Sequence, residues 1–107
     1  MDIEWRTLRA ELPSDVQERL DARRAARRLG KALAEVRKEM NVTQKDVATR
    51  AAMTQNTVSK IENAEDILLS SVMRYMHSLG GSVELILKTP DGGVRKVDLD
   101  PEMTIKS

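Results

Sequence analysis

Residues 55–60 of this 107-residue chain read Gln-Asn-Thr-Val-Ser-Lys, polar at every position but one and free of acids. The amides of Gln55 and Asn56 have the donor–acceptor edge that pairs bidentately with adenine in the DNA major groove, and Lys60 matches guanine N7 and O6. Elsewhere the residue types that carry chemistry are scarce. There is no cysteine, which excludes a disulfide framework, a thiolate metal site and a cysteine nucleophile. The single histidine, His77, cannot form a ligand cluster and reads as a solvated or packing residue on a helix. No glycine-rich loop opens a helix as a phosphate cradle, and the acidic pair Glu65-Asp66 falls in a connector. The expectation is binding without catalysis, and without a metal or cofactor.

The elements around residues 55–60 follow from apolar spacing and caps. A helix opens after Pro13, where Ser14 and Gln17 have capping-box spacing. Its inner face is Val16 and Leu20, then Leu29, Leu33, Val36 and Met40. Gly30 inside this run marks either a bend or a split into two helices. Thr43 caps the next helix, with Asp46 three residues on as its capping-box partner, and Val47, Ala48 and Ala51 form its buried side. A tight turn at Ala52–Met53 leads to Thr54, which caps the helix that carries residues 55–60 and turns Val58 and Ile61 inward. Ser70 or Ser71 starts a further helix through Val72, Met73, Met76 and Leu79, and Gly80 ends it as a left-handed cap. The period then falls to two. Val83, Leu85 and Leu87 alternate with Glu84, Ile86 and Lys88, a turn follows at residues 90–93, and Val94–Leu99 returns as a second strand. Such a hairpin is marginal alone and needs another surface. The reading divides the chain into an acidic lead (1–12), pinned down by Trp5 and Leu8, a helical DNA-binding unit (13–80), the hairpin extension (81–100) and a tail (101–107).

Net charge is +1 over the whole chain but not along it. Residues 1–18 carry −3, residues 19–60 carry +7 and residues 61–107 carry −3. A basic middle is the electrostatic footprint of a phosphate binder, and the acidic ends suit a basic protein partner. No apolar run reaches the roughly 18 residues of a membrane span, and the first residues lack the pattern of a secretory signal. A soluble, intracellular protein is expected.

The segments Val42-Thr43-Gln44-Lys45-Asp46-Val47-Ala48 and Met53 through Asn63 resemble the Cro/C1-type, or XRE, helix-turn-helix family. With Leu69-Ser70-Ser71-Val72, Tyr75, Leu79 through Leu85 and Pro90-Asp91-Gly92, the chain is similar to small HigA-type antitoxins that carry a β extension. The fold implied is mainly α: a five-helix, lambda-repressor-like helix-turn-helix domain with a C-terminal β-hairpin. The resemblance also implies that Gln55, Asn56, Thr57 and Lys60 read bases in the major groove. Thr43, Gln44, Lys45, Arg50 and Thr54 are the implied phosphate contacts. Arg37 matches a position that pairs with the acid matching Glu62, a structural rather than DNA-reading role. One position departs from the family: Ala52 stands where its members usually have glycine, and a left-handed non-glycine residue costs about 1–2 kcal/mol.

The function implied is a homodimeric repressor on double-stranded operator DNA. It is also implied to be the antitoxin that neutralises a RelE/HigB-like, mRNA-cleaving toxin and represses its own operon. The alternative is a stand-alone or prophage regulator without a toxin. The hairpin, through Val83, Leu85 and Leu87, is the expected dimer element, since pairing two copies covers edges that otherwise lie open. The arginine-rich segment 19–31 would flank DNA or meet a protein partner.

Overall fold

A computed structural model of the chain describes residues 4–65 and 67–100. The proposed tail (101–107), the first three residues of the lead and Asp66 of the connector lie outside them. Helix α1 spans Trp5–Ala10 and α2 spans Ser14–Glu39. Part of the acidic lead is therefore helical, and α1 folds back on α2. The Arg9 guanidinium meets the Asp21 carboxylate at 2.5–2.8 Å, and Arg24 lies over the Trp5 ring, 4.4 Å from its centroid. The expected Ser14–Gln17 capping box is absent. Pro13 occupies the cap with extended dihedrals (φ −60°, ψ 152°) and Ser14 is already helical, so its hydroxyl no longer faces the free amides. The Gln17 side chain instead donates back to the Leu12 carbonyl at 2.5 Å.

Gly30 neither bends nor splits the long helix; α2 runs unbroken through it. A Cβ there would stand 2.6 Å from the Glu62 carbonyl oxygen and 2.9 Å from that of Ile61. Glycine is what lets a later helix, α4 (Gln55–Glu62), cross α2 at backbone contact. Its helix-propensity cost of about 1 kcal/mol is offset by that close packing.

Helices α3 (Gln44–Ala51), α4 (Gln55–Glu62) and α5 (Leu69–Ser78) complete the helical unit. Thr43 and Asp46 form a full capping box on α3, and Thr54 Oγ1 accepts from the Thr57 amide on α4 at 3.0 Å. Helix α5 has no such cap: Leu68 precedes it, so neither Ser70 nor Ser71 starts it. Each of α2 to α5 ends in one left-handed residue, at Asn41, Ala52, Ala64 and Gly80. At each end an amide reaches back five residues, from Val42 to Arg37, Met53 to Ala48, Glu65 to Lys60 and Gly81 to Met76. These are Schellman closures, which satisfy the last carbonyls and turn the chain sharply. Leu33, Val42, Val47, Ala48, Val58, Ile61, Val72, Tyr75 and Leu79 meet in one core beneath these four helices.

Strands β1 (Glu84–Lys88) and β2 (Val94–Asp98) form an antiparallel pair with Leu85 opposite Val97 and Leu87 opposite Arg95. The hairpin is moored at its base. Val83, just before β1, packs on the helical core, Asp100 Oδ2 accepts from the Val83 amide at 3.3 Å and Asp100 Oδ1 bonds His77 Nε2 at 2.5 Å. Beyond the base, Leu85, Ile86, Leu87 and Val94 are exposed. Of the three hairpin residues expected to face a second copy, Val83 is thus held by the chain's own helices, while Leu85 and Leu87 stay open.

Candidate nucleic-acid interface

Val58 and Ile61 are fully buried, and this orients the rest of α4. Gln55, Asn56 and Lys60 point to solvent, with Thr57 and Ser59 half-buried. Gln55 and Asn56 sit in the first turn of α4, and Lys60 lies four residues after Asn56 on the same helical side. The Thr57 hydroxyl is 2.9 Å from that of Thr54, so both hydroxyls serve the cap and the Thr57 methyl is what remains for contact.

At the start of α3 the first amides have no intrahelical acceptor and Lys45 is exposed beside them. The Asp46 carboxylate is already engaged: it accepts from the Thr43 amide at 3.1 Å. That bond, with the Thr43 hydroxyl, holds its pKa below the ordinary carboxylate value. The Gln44 side chain turns inward instead and donates to Glu62 Oε1 at 2.9 Å.

Glu62 is the hub beneath this surface. Arg37 Nε and Nη2 donate to its two oxygens at 2.6 and 3.1 Å, and Arg37 Nη1 donates to the Val42 carbonyl at 2.9 Å. The buried Tyr75 hydroxyl lies 2.5 Å from Glu62 Oε2 and 3.2 Å from the Leu33 carbonyl; its one proton goes to the nearer, charged acceptor. Burial works against the Glu62 charge, but hydrogen bonds from Arg37, Tyr75 and Gln44 outweigh it and the carboxyl titrates below its ordinary range. Burial and the adjacent carboxylate push the Tyr75 phenol far up. The cluster ties α2, α3, α4 and α5 together and fixes the angle at which α4 is presented.

The turn between α3 and α4 is held from outside. Ala52 adopts φ 56°, ψ 48°, the left-handed conformation usually left to glycine. Arg74 of α5 donates from Nη2 to the carbonyls of Ala51 at 2.5 Å and Ala52 at 2.9 Å. Neither Arg74 nor the role of Tyr75 was visible in the sequence, because both act on groups far along the chain with no local pattern between them.

The structure brings Thr43, Lys45, Thr54, Gln55, Asn56 and Lys60 onto the α3–α4 pair. It sets Arg50 apart, with its guanidinium 3.3 Å from the Ser78 carbonyl at the end of α5. The arginine-rich half of α2 is elsewhere too. Arg23 and Arg27 line an open cleft with Asn63, Ala64 and Glu65, at the opposite end of α4 from Gln55. No group of three or more metal-ligating side chains occurs among the described residues. No helix among them is long and apolar enough to cross a membrane.

The helix-turn-helix family HTH_3 matches residues 33–86, from the last two turns of α2 into β1. A solved HigA antitoxin, described as inducing DNA bending by unique dimerization, is 30% identical and superposes with a TM-score of 0.50. The alignment covers 63% of this chain and 88% of that one. No protein of curated function matches the chain.

Proposed function

Because this chain belongs to the Cro/C1-type helix-turn-helix family of DNA-binding, non-enzymatic proteins, we propose that it is a dimeric repressor that reads operator DNA with α4. The observation that carries this reading is the solvent-facing, acid-free first turn of α4 beside the free amides of α3. Gln55 and Asn56 read base edges, Lys60 reaches the next base or a phosphate, and the Thr57 methyl meets a thymine methyl. Thr43 and Lys45 grip the flanking phosphates, with Gln44 and Thr54 contributing their backbone amides. Arg50, drawn toward α5, reaches only the edge of this footprint.

One unit touches few bases, so a dimer on an inverted repeat is required. The HigA antitoxin that the chain resembles dimerises and bends DNA. On that likeness the chain is also an antitoxin, which neutralises a RelE/HigB-like toxin and represses its own operon. Two measurements test the reading. In a gel shift with the upstream promoter, a specific complex that weakens with salt is expected, and none at low salt removes the DNA-binding claim. Co-expression with a small basic neighbouring reading frame is expected to rescue growth and to co-purify the two proteins. If both fail while the gel shift succeeds, the protein is a stand-alone regulator.

A further inference from the structure

The hairpin has two open edges, and its register shows that they are not equivalent. The bonds that close it join odd-numbered residues: the Leu99 amide donates to Val83 at 3.1 Å and the Thr89 amide to Gly93 at 2.9 Å. Bonded and non-bonded positions alternate along an antiparallel pair. Glu84, Ile86 and Lys88 therefore turn their N–H and C=O groups to the outer edge of β1. Val94, Lys96 and Asp98 do the same on β2.

We infer that two copies join through the outer edges of β1, antiparallel about a two-fold axis at Ile86, to form a four-stranded sheet. The inference rests on the dimeric reading above and specifies its interface. In this register Glu84 faces the partner's Lys88, Lys88 faces the partner's Glu84, and the two Ile86 side chains meet on the axis. On the other face Leu85 meets the partner's Leu87. Leu85, Ile86 and Leu87, now 42%, 52% and 52% exposed, all gain cover. Within the hairpin Glu84 stands opposite Asp98, a like-charge pairing that is unfavourable. Neither Glu84 nor Lys88 has an ion-pair partner among the described residues. A second copy provides one for each.

The alternatives are worse. Moving the axis to Leu85 or Leu87 sets Glu84 or Lys88 against Ile86 and leaves no ion pair. Pairing the β2 edges about Lys96 sets lysine against lysine and Val94 against Asp98; about Val97 it matches Lys96 with the partner's Asp98, but it leaves Glu84, Lys88 and the exposed Ile86 of β1 without a partner.

Sedimentation equilibrium of the full chain tests the interface. Ile86→Pro removes an amide that points outward, so the hairpin keeps its own bonds, and the expected result is a monomer. Lys96→Pro makes the same change on the opposite edge and is expected to leave the dimer intact. Lys88→Glu is expected to weaken association about tenfold or more, since it turns two attractive cross-strand pairs repulsive, and the double change E84K/K88E to restore it. The chain has no cysteine, so Ile86→Cys introduces the only thiol. Across a bonded antiparallel pair the Cα atoms lie about 5.5 Å apart, within disulfide reach. Oxidation is expected to cross-link Ile86→Cys and not Lys96→Cys, a readout that holds even if Ile86→Pro misfolds. A wild-type dimer that survives Ile86→Pro and Lys88→Glu and fails to cross-link at Ile86→Cys overturns this interface and leaves the dimeric reading standing. A wild-type monomer at every concentration overturns both.

Discussion

At the scale of single residues, Arg37 and Glu62 do the most to hold the reading helix in place. Their side chains are 10% and 7% exposed, and removing one member of such a buried pair leaves the other charge uncompensated. Glu62→Gln is expected to cost about 3–5 kcal/mol in urea denaturation at neutral pH. The pH dependence has a definite sign. A carboxyl whose folded-state pKa is depressed contributes stability that is fully present above the unfolded value, about 4.3 for glutamate, and is lost as pH falls through the lower folded value. The melting temperature is expected to hold above that value and fall below it, and in Glu62→Gln the acid fall is expected to be shallower. On the surface, Gln55→Ala is expected to change sequence preference by about 1–3 kcal/mol at one base position, read by binding to a panel of altered operators. The Arg37–Glu62 pairing is legible in the sequence only through family resemblance. Nothing between residues 37 and 62 marks them as partners, and no local pattern shows that the hydroxyl of Tyr75 completes their cluster.

Among the elements, the helix ends show how local rules and packing divide the work. Thr43 and Thr54 are legible caps because a side-chain oxygen three residues before a free amide acts locally. Gly80 is a legible stop because a residue without a side chain takes the left-handed conformation at no steric cost. Ala52 and Ala64 have no such signature; the packing of α3 and α4 imposes the left-handed conformation on them. Ala52→Gly removes a strain of about 1–2 kcal/mol and loosens the unfolded chain by about 0.4–1 kcal/mol. The expected net result is a gain of about 1 kcal/mol or less in chemical denaturation, with the fold retained. Gly30→Ala goes the other way. Helix propensity favours alanine by about 1 kcal/mol, but the new methyl would press on the carbonyls of Glu62 and Ile61. Overpacking of that kind costs about 1–3 kcal/mol, so a net loss in thermal stability is expected, together with weaker operator binding as α4 shifts. The spacing of apolar residues shows that Gly30 sits inside a helical run, but not that a second backbone passes over it.

Over the whole molecule, the charge pattern resolves into two surfaces. The basic middle of the sequence is not one patch: Lys45 and Lys60 lie with the α3–α4 pair, whereas Arg23 and Arg27 line the cleft beside the α4–α5 connector. Only the first group sits where DNA would lie against α4, so each subunit is expected to neutralise few phosphates. Lys45→Ala is expected to weaken all DNA sequences alike. It should also flatten the plot of log affinity against log salt by about 0.9 for each phosphate that is no longer neutralised, as measured by fluorescence anisotropy across a salt series.

Composition and periodicity alone specified a helical chain without catalytic side chains, a polar second helix after a short turn, and a terminal hairpin. These features are written in nearest-neighbour spacing, where side-chain type and helix or strand period coincide. The continuity of α2 through Gly30, the inward turn of Gln44, the diversion of Arg50 to α5 and the Arg74 clamp on the turn depend on which backbones meet. That is a property of packing between residues distant in sequence, and no local pattern encodes it.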